Sequence, residues 1–281
     1  MGDSVAAPVL QANGASMPAF GLGTWRLRDA GASDMVRAAL QLGVRHVDTA
    51  RMYDNERAVG AGVRAAGVPR EQIFVTTKLP PGAWDAAAAT RSAEDSLRDL
   101  GIGYIDPLLI HWPSRDVPLA ETLGAMAALR RRGLVRHLGV SNFNVALLEQ
   151  AVAQCSEPIV NNQVEYHPYL DQSRLLAACR RLGVALTAYS PLVQGKVNGE
   201  PAILEVAREL GRSAAQVTLR WLVQQHGVAV IPRSSDVDHL RANFAIFDFE
   251  LSAAQCARLS ALAHAGGRRV DPDQWAPDWN A

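Results

Sequence analysis

The sequence has 281 residues, of which 48% are hydrophobic and 20% are charged, and its 28 Lys and Arg residues balance its 28 Asp and Glu residues. This composition supplies a large core and excludes a disordered chain, and the zero net charge argues against nucleic acid as a partner. The three cysteines, Cys155, Cys179 and Cys256, are widely spaced and suggest neither a metal site nor a disulfide framework. No secretory leader and no run of about 20 apolar residues is visible, which favours a cytoplasmic protein without a membrane span. We also expect a monomer, because no strip of excess hydrophobicity stands out.

Along the chain, a hairpin signal is followed by one repeated pattern. Asn13-Gly14 is typical of a two-residue β-turn. After it, segments with helical periodicity end near glycine and precede short, mostly apolar segments, as buried parallel strands do. The predicted helices are Ser33–Leu42, Asn55–Ala66, Ala87–Leu100, Leu119–Arg132, Val145–Ala153, Gln172–Leu182 and Ser213–Gln225. The predicted strands begin at Ala19, Val44, Ile73, Tyr104, Val135, Ile159, Val184 and Val228.

This alternation predicts an α/β fold, a (β/α)8 TIM barrel. The strand–helix units follow one another without a linker or a change in composition, so residues 1–281 are predicted to form one domain with a short N-terminal β-hairpin and a C-terminal loop. An open, doubly wound sheet is the alternative. It lacks support, because Gly21-x-Gly23 is followed by Thr24-Trp25 and not by the rest of a G-x-G-x-x-G phosphate loop.

Polar residues collect where the predicted strands end, which in such a barrel is the end that carries the chemistry. Asp48, Lys78 and His111 end three successive strands, and Tyr53 follows shortly after the first of them. The next three strands end on Ser141-Asn142, Gln163 and Tyr189-Ser190. Taken singly, each of these residues is more often a structural pair or a packing residue, but their placement on one rim favours a catalytic site.

The first four of these residues form a set that can transfer a proton. A carboxylate at the edge of a core needs a partner, and Lys78 on the next strand is expected to pair with Asp48. Lys78 is also expected to lie against Tyr53 and to lower the pKa of that phenol, so that Tyr53 protonates a carbonyl oxygen that His111 also binds. No side chain here donates hydride, which implies a nicotinamide cofactor.

Several motifs, in the same order and over nearly the whole chain, resemble those of the aldo-keto reductases. They are FGLGTW (20–25), VDTARMYDNE (47–56), TTKL (76–79), LLIHWP (108–113), GVSNF (139–143), NQVEYHPYL (162–170), YSPL (189–192) and IPRSS (231–235). The ending RRVDPDQWAPDW (268–279) is similar to that of bacterial 2,5-diketo-D-gluconate reductases of the B type.

The resemblance implies that aldehydes, α-dicarbonyl compounds or keto-sugar acids are reduced to alcohols with NADP(H), bound in an extended pose without a Rossmann fold. It assigns catalysis to Asp48, Tyr53, Lys78 and His111, with Tyr53 as the proton donor. The implied cofactor-binding residues are Gly23, Thr24, Trp25, Asp48, Ser141, Asn142, Gln163, Tyr189, Ser190, Pro191, Leu192, Gln194, Gly195, Ile231, Pro232, Arg233, Ser234, Ser235, His239 and Asn243. The implied substrate-pocket residues are Trp25, Tyr53, Trp84, His111, Trp112 and Trp279.

The adenosine end departs from the family pattern. Arg233 stands where the family usually has Lys, His239 where it usually has Arg, and Ala242 where it often has Glu. Arg233 can still clamp a phosphate, whereas His239 is mostly neutral at pH 7 and Asp236 would repel a 2′-phosphate if it points inward. We therefore expect NADP(H) to be preferred, with NAD(H) as an alternative cofactor and a smaller difference between the two than is usual.

Two other functions stay open at this point. Lys78 could be the nucleophile of a Schiff-base lyase in the same barrel, although Asp48 would keep it charged. The chain could also be a redox-sensing accessory protein that binds the cofactor with little turnover. The substrate itself is not predicted, because the pocket is set by the loops at residues 80–87 and 113–118 and by the tail after Gly266.

Overall fold

The computed structural model describes residues 7–279, and its centre is a barrel of parallel strands. Eight strands hydrogen-bond in the order β10-β9-β8-β7-β6-β5-β4-β3. They are β3 (Gly21–Gly23), β4 (His46–Asp48), β5 (Phe74–Leu79), β6 (Ile105–Ile110), β7 (Val135–Ser141), β8 (Ile159–Glu165), β9 (Ala185–Tyr189) and β10 (Val228–Val230). Parallel bridges between Phe20 and Val230 and between Gly23 and Arg233 join the first strand to the last. The predicted (β/α)8 barrel is therefore confirmed, and the open sheet is wrong.

Helices surround the barrel, and all but the last two connect its strands. They are α1 (Asp29–Gln41), α2 (Glu56–Ala65), α3 (Ala86–Leu100), α4 (Leu119–Arg131), α5 (Val145–Gln154), α6 (Ser173–Arg181), α7 (Pro201–Leu210), α8 (Ala214–Val223), α9 (Val237–Phe244) and α10 (Ala253–Ser260). The sequence pattern missed α7, α9 and α10. Two of these, α9 and α10, have only eight residues each, which is about two turns and too short for a clear period. None of the helices within residues 7–279 is long and apolar enough to span a membrane.

The predicted hairpin is confirmed and closes the end of the barrel opposite to the candidate site. β1 (Val9–Ala12) pairs antiparallel with β2 (Ala15–Pro18), and the turn residues Asn13 and Gly14 have φ of 44° and 88°, as a turn of this hand requires. Asn13 Nδ2 donates to the carbonyl oxygens of Ile159 and Leu182 at 2.8 and 3.0 Å. The hairpin thus covers the end of the barrel where β8 and β9 begin. The hairpin does not cover the opposite end, where the strands end, which we call the mouth.

Candidate active site

A buried ion pair lies at the centre of the mouth. Lys78 Nζ is 2.7 Å from Asp48 Oδ1 and also donates to the carbonyl oxygen of Thr49 at 2.7 Å. The second carboxylate oxygen of Asp48 accepts a hydrogen bond from Gln163 Nε2 at 2.6 Å. The side chains of Lys78 and Asp48 are 0% and 2% exposed, so each charge depends on its partners and not on water.

Strand register explains why these two residues meet. Asp48 at the end of β4 is paired with Thr76 on β5, and Lys78 lies two residues further along β5. Side chains two residues apart on a strand share a face, so Lys78 points to the barrel interior on the same side as Thr76 and Asp48. The predicted pairing of Asp48 with Lys78 therefore follows from the strand-end positions alone.

Tyr53 is held over this pair by a turn that directly follows β4. The turn spans Arg51–Tyr53, and Asn55 fixes it. Asn55 Oδ1 accepts a hydrogen bond from Thr49 Oγ1 at 2.7 Å, and its Nδ2 donates to the carbonyl oxygens of Thr24 and Leu27 at 2.9 and 3.0 Å. Lys78 Nζ lies 5.1 Å from the centroid of the Tyr53 ring. Asn55 is a positioning residue that the sequence analysis missed, and the motif VDTARMYDNE was its only signal.

His111 completes the group of four. It follows β6 directly, and its backbone N–H donates to the carbonyl oxygen of Leu79 on β5 at 3.1 Å. Its ring meets the Tyr53 ring edge-on, with centroids 5.8 Å apart and an interplanar angle of 76°. The structure thus brings Asp48, Tyr53, Lys78 and His111 into one cluster.

Burial sets the protonation of this cluster. It raises the pKa of Tyr53 well above its ordinary value, and the charge of Asp48 and the neighbouring phenol of Tyr189 raise it further. The expected lowering of this pKa by Lys78 is therefore wrong for the chain alone, because loss of hydration outweighs the neighbouring ammonium. Burial and the charge of Lys78 both hold the pKa of His111 well below 6.5. At neutral pH the cluster accordingly offers a protonated phenol and a neutral imidazole.

Lys78 itself is less basic than usual. Burial lowers the pKa of its ammonium, and Asp48 counteracts this effect through its charge and its hydrogen bond. The short contacts to Asp48 and Thr49 favour the ammonium, because both partners are acceptors. We therefore treat Lys78 as a cation.

A ring of polar side chains continues from the cluster towards β9. Tyr189 Oη donates to Asn142 Oδ1 at 2.9 Å, and Asn142 Nδ2 donates to the carbonyl oxygen of His111 at 2.9 Å. Ser141 Oγ donates to the carbonyl oxygen of Gln163 at 2.8 Å. Two side-chain amides, a hydroxyl and the flat ring of Tyr189 form a set that fits an aromatic ring bearing a carboxamide, such as nicotinamide.

The backbone after β9 is strained. Ser190, Val193 and Gln194 have φ of 51°, 48° and 53°, in the region that L-residues other than Asn and Asp rarely adopt. A β-branched residue such as Val193 is particularly unfavourable there, and strain of this kind clusters at ligand-binding segments. The predicted cofactor residues Ser190, Gln194 and Gly195 all lie in this segment, with Pro191 and Leu192 between them.

At the predicted adenosine end, most polar groups are exposed. Gly23 approaches β10 closely, and its N–H donates to the carbonyl oxygen of Pro232 at 3.0 Å. Arg233 and Ser235 are exposed, whereas Ile231, Ser234 and Asn243 are buried. Asp236 caps α9, where its Oδ1 accepts the N–H of His239 at 2.8 Å. The His239 side chain is 82% exposed.

Three of the four predicted tryptophans surround one side of the mouth. Trp112 is buried and meets Trp279 edge-on, with ring centroids 6.4 Å apart. Trp84 Nε1 donates to the carbonyl oxygen of Trp112 at 2.9 Å and lines a cavity of 290 Å³ beside the loop at residues 113–118. Trp25 is 45% exposed, and Arg26 Cζ lies 4.2 Å from the centroid of its ring.

The tail after α10 is fixed to the mouth by Glu165, a residue that the sequence analysis did not assign. Its fully buried carboxylate accepts the backbone N–H groups of Arg269 and Val270, each at 3.0 Å. His167 Nε2 lies 3.1 Å from the same carboxylate. No side-chain pattern could reveal this contact, because the donors belong to the backbone. Across the described part of the chain, no group of three or more His, Cys, Asp or Glu residues is arranged to hold a metal ion.

Comparison with known proteins identifies the family. Residues 18–202 and 196–264 match the model of the Aldo/keto reductase family. The chain belongs to this family. As an aldo-keto reductase it is an oxidoreductase that acts on carbonyl compounds, and enzymes of this family use nicotinamide cofactors.

Individual relatives agree with this assignment. Methylglyoxal reductase DkgB of Escherichia coli O157:H7 is 37% identical over 94% of this chain and 100% of its own, and glyoxal reductase of Bacillus subtilis is 39% identical over 89% and 90%. A solved protein provisionally assigned as a 2,5-diketo-D-gluconic acid reductase B is 45% identical, with a TM-score of 0.96 over 98% of each chain. A Bombyx mori aldo-keto reductase in complex with NADP has 32% identity and a TM-score of 0.90, over 98% of this chain and 99% of its own. The predicted resemblance, including that to the B-type reductases, is confirmed.

Proposed function

We propose that this aldo-keto reductase is a cytoplasmic monomer that reduces aldehydes and α-dicarbonyl compounds, keto-sugar acids included, to alcohols and prefers NADPH. The observation that carries the proposal is the buried cluster in which Lys78 Nζ is 2.7 Å from Asp48 and 5.1 Å from the Tyr53 ring. The names of the relatives, which act on methylglyoxal and glyoxal, support the same substrate class.

In this proposal Tyr53 is the acid. It is protonated at neutral pH because burial raises its pKa, and it donates its proton to the carbonyl oxygen as negative charge develops there. The ammonium of Lys78 stabilises the phenolate that remains, and Asp48 keeps that ammonium charged and in place. His111, neutral because its pKa is lowered, donates a hydrogen bond to the same carbonyl oxygen and orients the substrate.

The hydride comes from the reduced nicotinamide when the cofactor is bound. We assign its ring to Ser141, Asn142, Gln163 and Tyr189, its pyrophosphate to the strained segment 190–195, and its adenosine end to Arg233, Ser235 and the start of α9. The NADP complex of the Bombyx mori relative supports NADP(H), whereas the exposed carboxylate of Asp236 at the start of α9 weakens the expected preference over NAD(H).

A Schiff-base lyase is the second candidate, because burial lowers the pKa of Lys78 as it does in lysine nucleophiles. Two observations oppose it. The Lys78 side chain is 0% exposed, and its Nζ donates to both Asp48 and Thr49. Borohydride added together with a carbonyl substrate, followed by mass spectrometry of the peptide that contains Lys78, should give no adduct.

The substitution Tyr53→Phe tests the proposal. We expect kcat for methylglyoxal with NADPH to fall by about 10²- to 10⁴-fold, the usual contribution of a general acid. The dissociation constant for NADPH, measured by fluorescence quenching, should stay within about twofold, because the proposal assigns the phenol oxygen to the substrate and not to the cofactor. Tyr104→Phe is the matched control, since Tyr104 lies between Arg70 and Arg136 at the start of β6.

Three outcomes would contradict the proposal. Unchanged kcat in Tyr53→Phe would exclude Tyr53 as the acid, and an equal loss in Tyr104→Phe would show that the effect is not specific. Failure of the wild-type chain to reduce small aldehydes and dicarbonyls, with NADPH binding intact, would favour the accessory role. Size-exclusion chromatography with light scattering tests the monomer.

A further inference from the structure

Arg268 lies in the tail at the mouth of the barrel, and its position is fixed at two points. The backbone N–H groups of the next two residues, Arg269 and Val270, donate to the Glu165 carboxylate at the end of β8. The guanidinium of Arg268 stacks on the indole of Trp279, with Cζ 3.5 Å from the ring centroid. Arg268 is thus held in place from both its backbone and its side chain, which reduces the entropy that a contact with a ligand would cost.

The guanidinium is linked to the mouth through two predicted substrate-pocket residues, Trp279 and Trp112. Its Trp279 platform meets Trp112, the residue after His111, edge-on. Its charge reaches Tyr189, where it partly counteracts the large rise in pKa that burial causes. Tyr189 in turn is close enough to Tyr53 to affect the pKa of that phenol. Arg268 is therefore a cation on the ring of Trp279, which contacts Trp112 next to His111.

Among the described residues, none forms an ion pair with this guanidinium. Its Nη1 is shielded from solvent and has no hydrogen-bond partner within residues 7–279, and no carboxylate among these residues forms an ion pair with it. Glu165, whose charge acts on Arg268, is already occupied by Arg269, Val270 and His167. Asp271 accepts instead from Trp279 Nε1 at 2.8 Å. A buried guanidinium N–H without an acceptor is costly, and a ligand that supplies an acceptor would remove that cost.

We propose that Arg268 binds a carboxylate on the substrate, so that the enzyme favours carbonyl compounds that also carry an acid group. This inference rests on the proposed reduction at Tyr53. A guanidinium presents two parallel N–H groups to a carboxylate, and its contact with the Trp279 ring does not use these donors. A phosphate of the cofactor is the other anion that could reach this position, and the experiment separates the two.

The experiment compares two substrates that differ in one charge, para-carboxybenzaldehyde and methyl para-formylbenzoate. We expect Arg268→Met to lower kcat/KM for the acid by about 10- to 100-fold, mainly through KM, as the loss of a charge-assisted pair predicts. For the ester, kcat/KM should change by less than about threefold, since no charged contact is lost. Arg268→Lys should give an intermediate loss of kcat/KM for the acid, because lysine keeps the positive charge but lacks the two parallel N–H groups.

Arg269→Met is the matched control, because Arg269 is the exposed neighbour and holds Glu165 through its backbone. This substitution should leave kcat/KM unchanged for both the acid and the ester. Equal losses for acid and ester in Arg268→Met would overturn the proposal in favour of a structural role in the tail. A weakened NADPH dissociation constant in Arg268→Met, with the acid-to-ester ratio unchanged, would assign Arg268 to a cofactor phosphate and also overturn it.

Binding of a compound that cannot react separates this proposal from the proposed function. Calorimetry with para-toluate and its methyl ester should show that the wild-type chain binds the acid more tightly and that Arg268→Met removes the difference. If the wild-type chain reduces neither aldehyde but keeps this difference, the proposed reduction fails and the carboxylate site stands. If the acid and the ester bind equally, the carboxylate site is wrong whatever the turnover.

Discussion

The mouth of the barrel and the start of α9 differ in how far their polar side chains are exposed to solvent. At the mouth, the Lys78 and Asp48 side chains are 0% and 2% exposed and share hydrogen bonds with Thr49 and Gln163. At the start of α9, the side chains of Asp236 and His239 are 55% and 82% exposed, and Asp236 Oδ1 is 4.0 Å from His239 Nδ1. The first pair is part of the core, whereas the second is a surface contact.

This difference in exposure corresponds to two roles: the buried charges at the mouth serve the proposed reaction, and the exposed groups at α9 influence the choice of cofactor. Buried charges interact strongly and tolerate little change, because an unpaired partner cannot turn to water. Exposed charges are screened and contribute weakly, so each can be exchanged with a modest effect on binding. We therefore expect changes at the mouth to affect both stability and turnover, and changes at α9 to affect only the choice between NADPH and NADH.

The largest effect on stability and turnover is expected when Lys78 is removed from the buried pair at the mouth. Lys78→Met leaves Asp48 charged and buried, with Gln163 as its remaining side-chain donor. We expect the free energy of unfolding to fall by about 3–5 kcal/mol, the usual cost of removing one partner of a buried ion pair. Urea unfolding followed by fluorescence measures this change, and kcat should fall with it because the phenolate of Tyr53 loses its cation.

Lys196→Met provides the matched control for stability. Lys196 is the only other lysine in the sequence, and its side chain is exposed on the Tyr169 ring. Its substitution should change the free energy of unfolding by less than about 1 kcal/mol. Adding Asp48→Asn to Lys78→Met should restore part of the lost stability, since the unpaired charge is removed. Additive losses in the double variant would show that the ion pair is not the cause.

The residues at the mouth could be predicted from the sequence because they end successive strands. The degree of burial and the contacts of the tail could not be predicted from the sequence. Asp48, Lys78 and His111 could be placed together because parallel strands end on one rim. The pKa of Tyr53 was misjudged because a sequence reveals a neighbouring charge but not the loss of hydration around the phenol. Glu165 and Arg268 were missed because their positions depend on the path of an irregular tail, which has no period. Contacts between residues more than 100 positions apart in sequence, such as Glu165 with Arg269, leave no local pattern.

The pH dependence of carbonyl reduction should show the buried character of the mouth. Tyr53 must be protonated to act and its pKa is raised, so activity is present at neutral pH and is lost only as pH rises through that raised value, above 10. His111 must be neutral and its pKa is lowered, so no loss should appear as pH falls to about 6, where an ordinary histidine would titrate. Initial rates with saturating NADPH between pH 6 and 9 should vary by less than about twofold. A break in kcat near pH 6.5 that Tyr53→Phe retains would contradict this assignment of His111.

The smallest effect is expected at α9, where Asp236→Ser should increase the preference for NADPH. Serine keeps the hydrogen bond that caps the helix at the N–H of His239, so stability should not change. The substitution removes a negative charge beside the proposed position of the 2′-phosphate, and NADPH should bind about two- to fivefold more tightly at low ionic strength. NADH lacks that phosphate and serves as the internal control, so its dissociation constant, measured by the same fluorescence titration, should not change. Equal tightening of both cofactors would show that Asp236 repels the pyrophosphate instead, and no change in either would place the adenosine end elsewhere on the barrel.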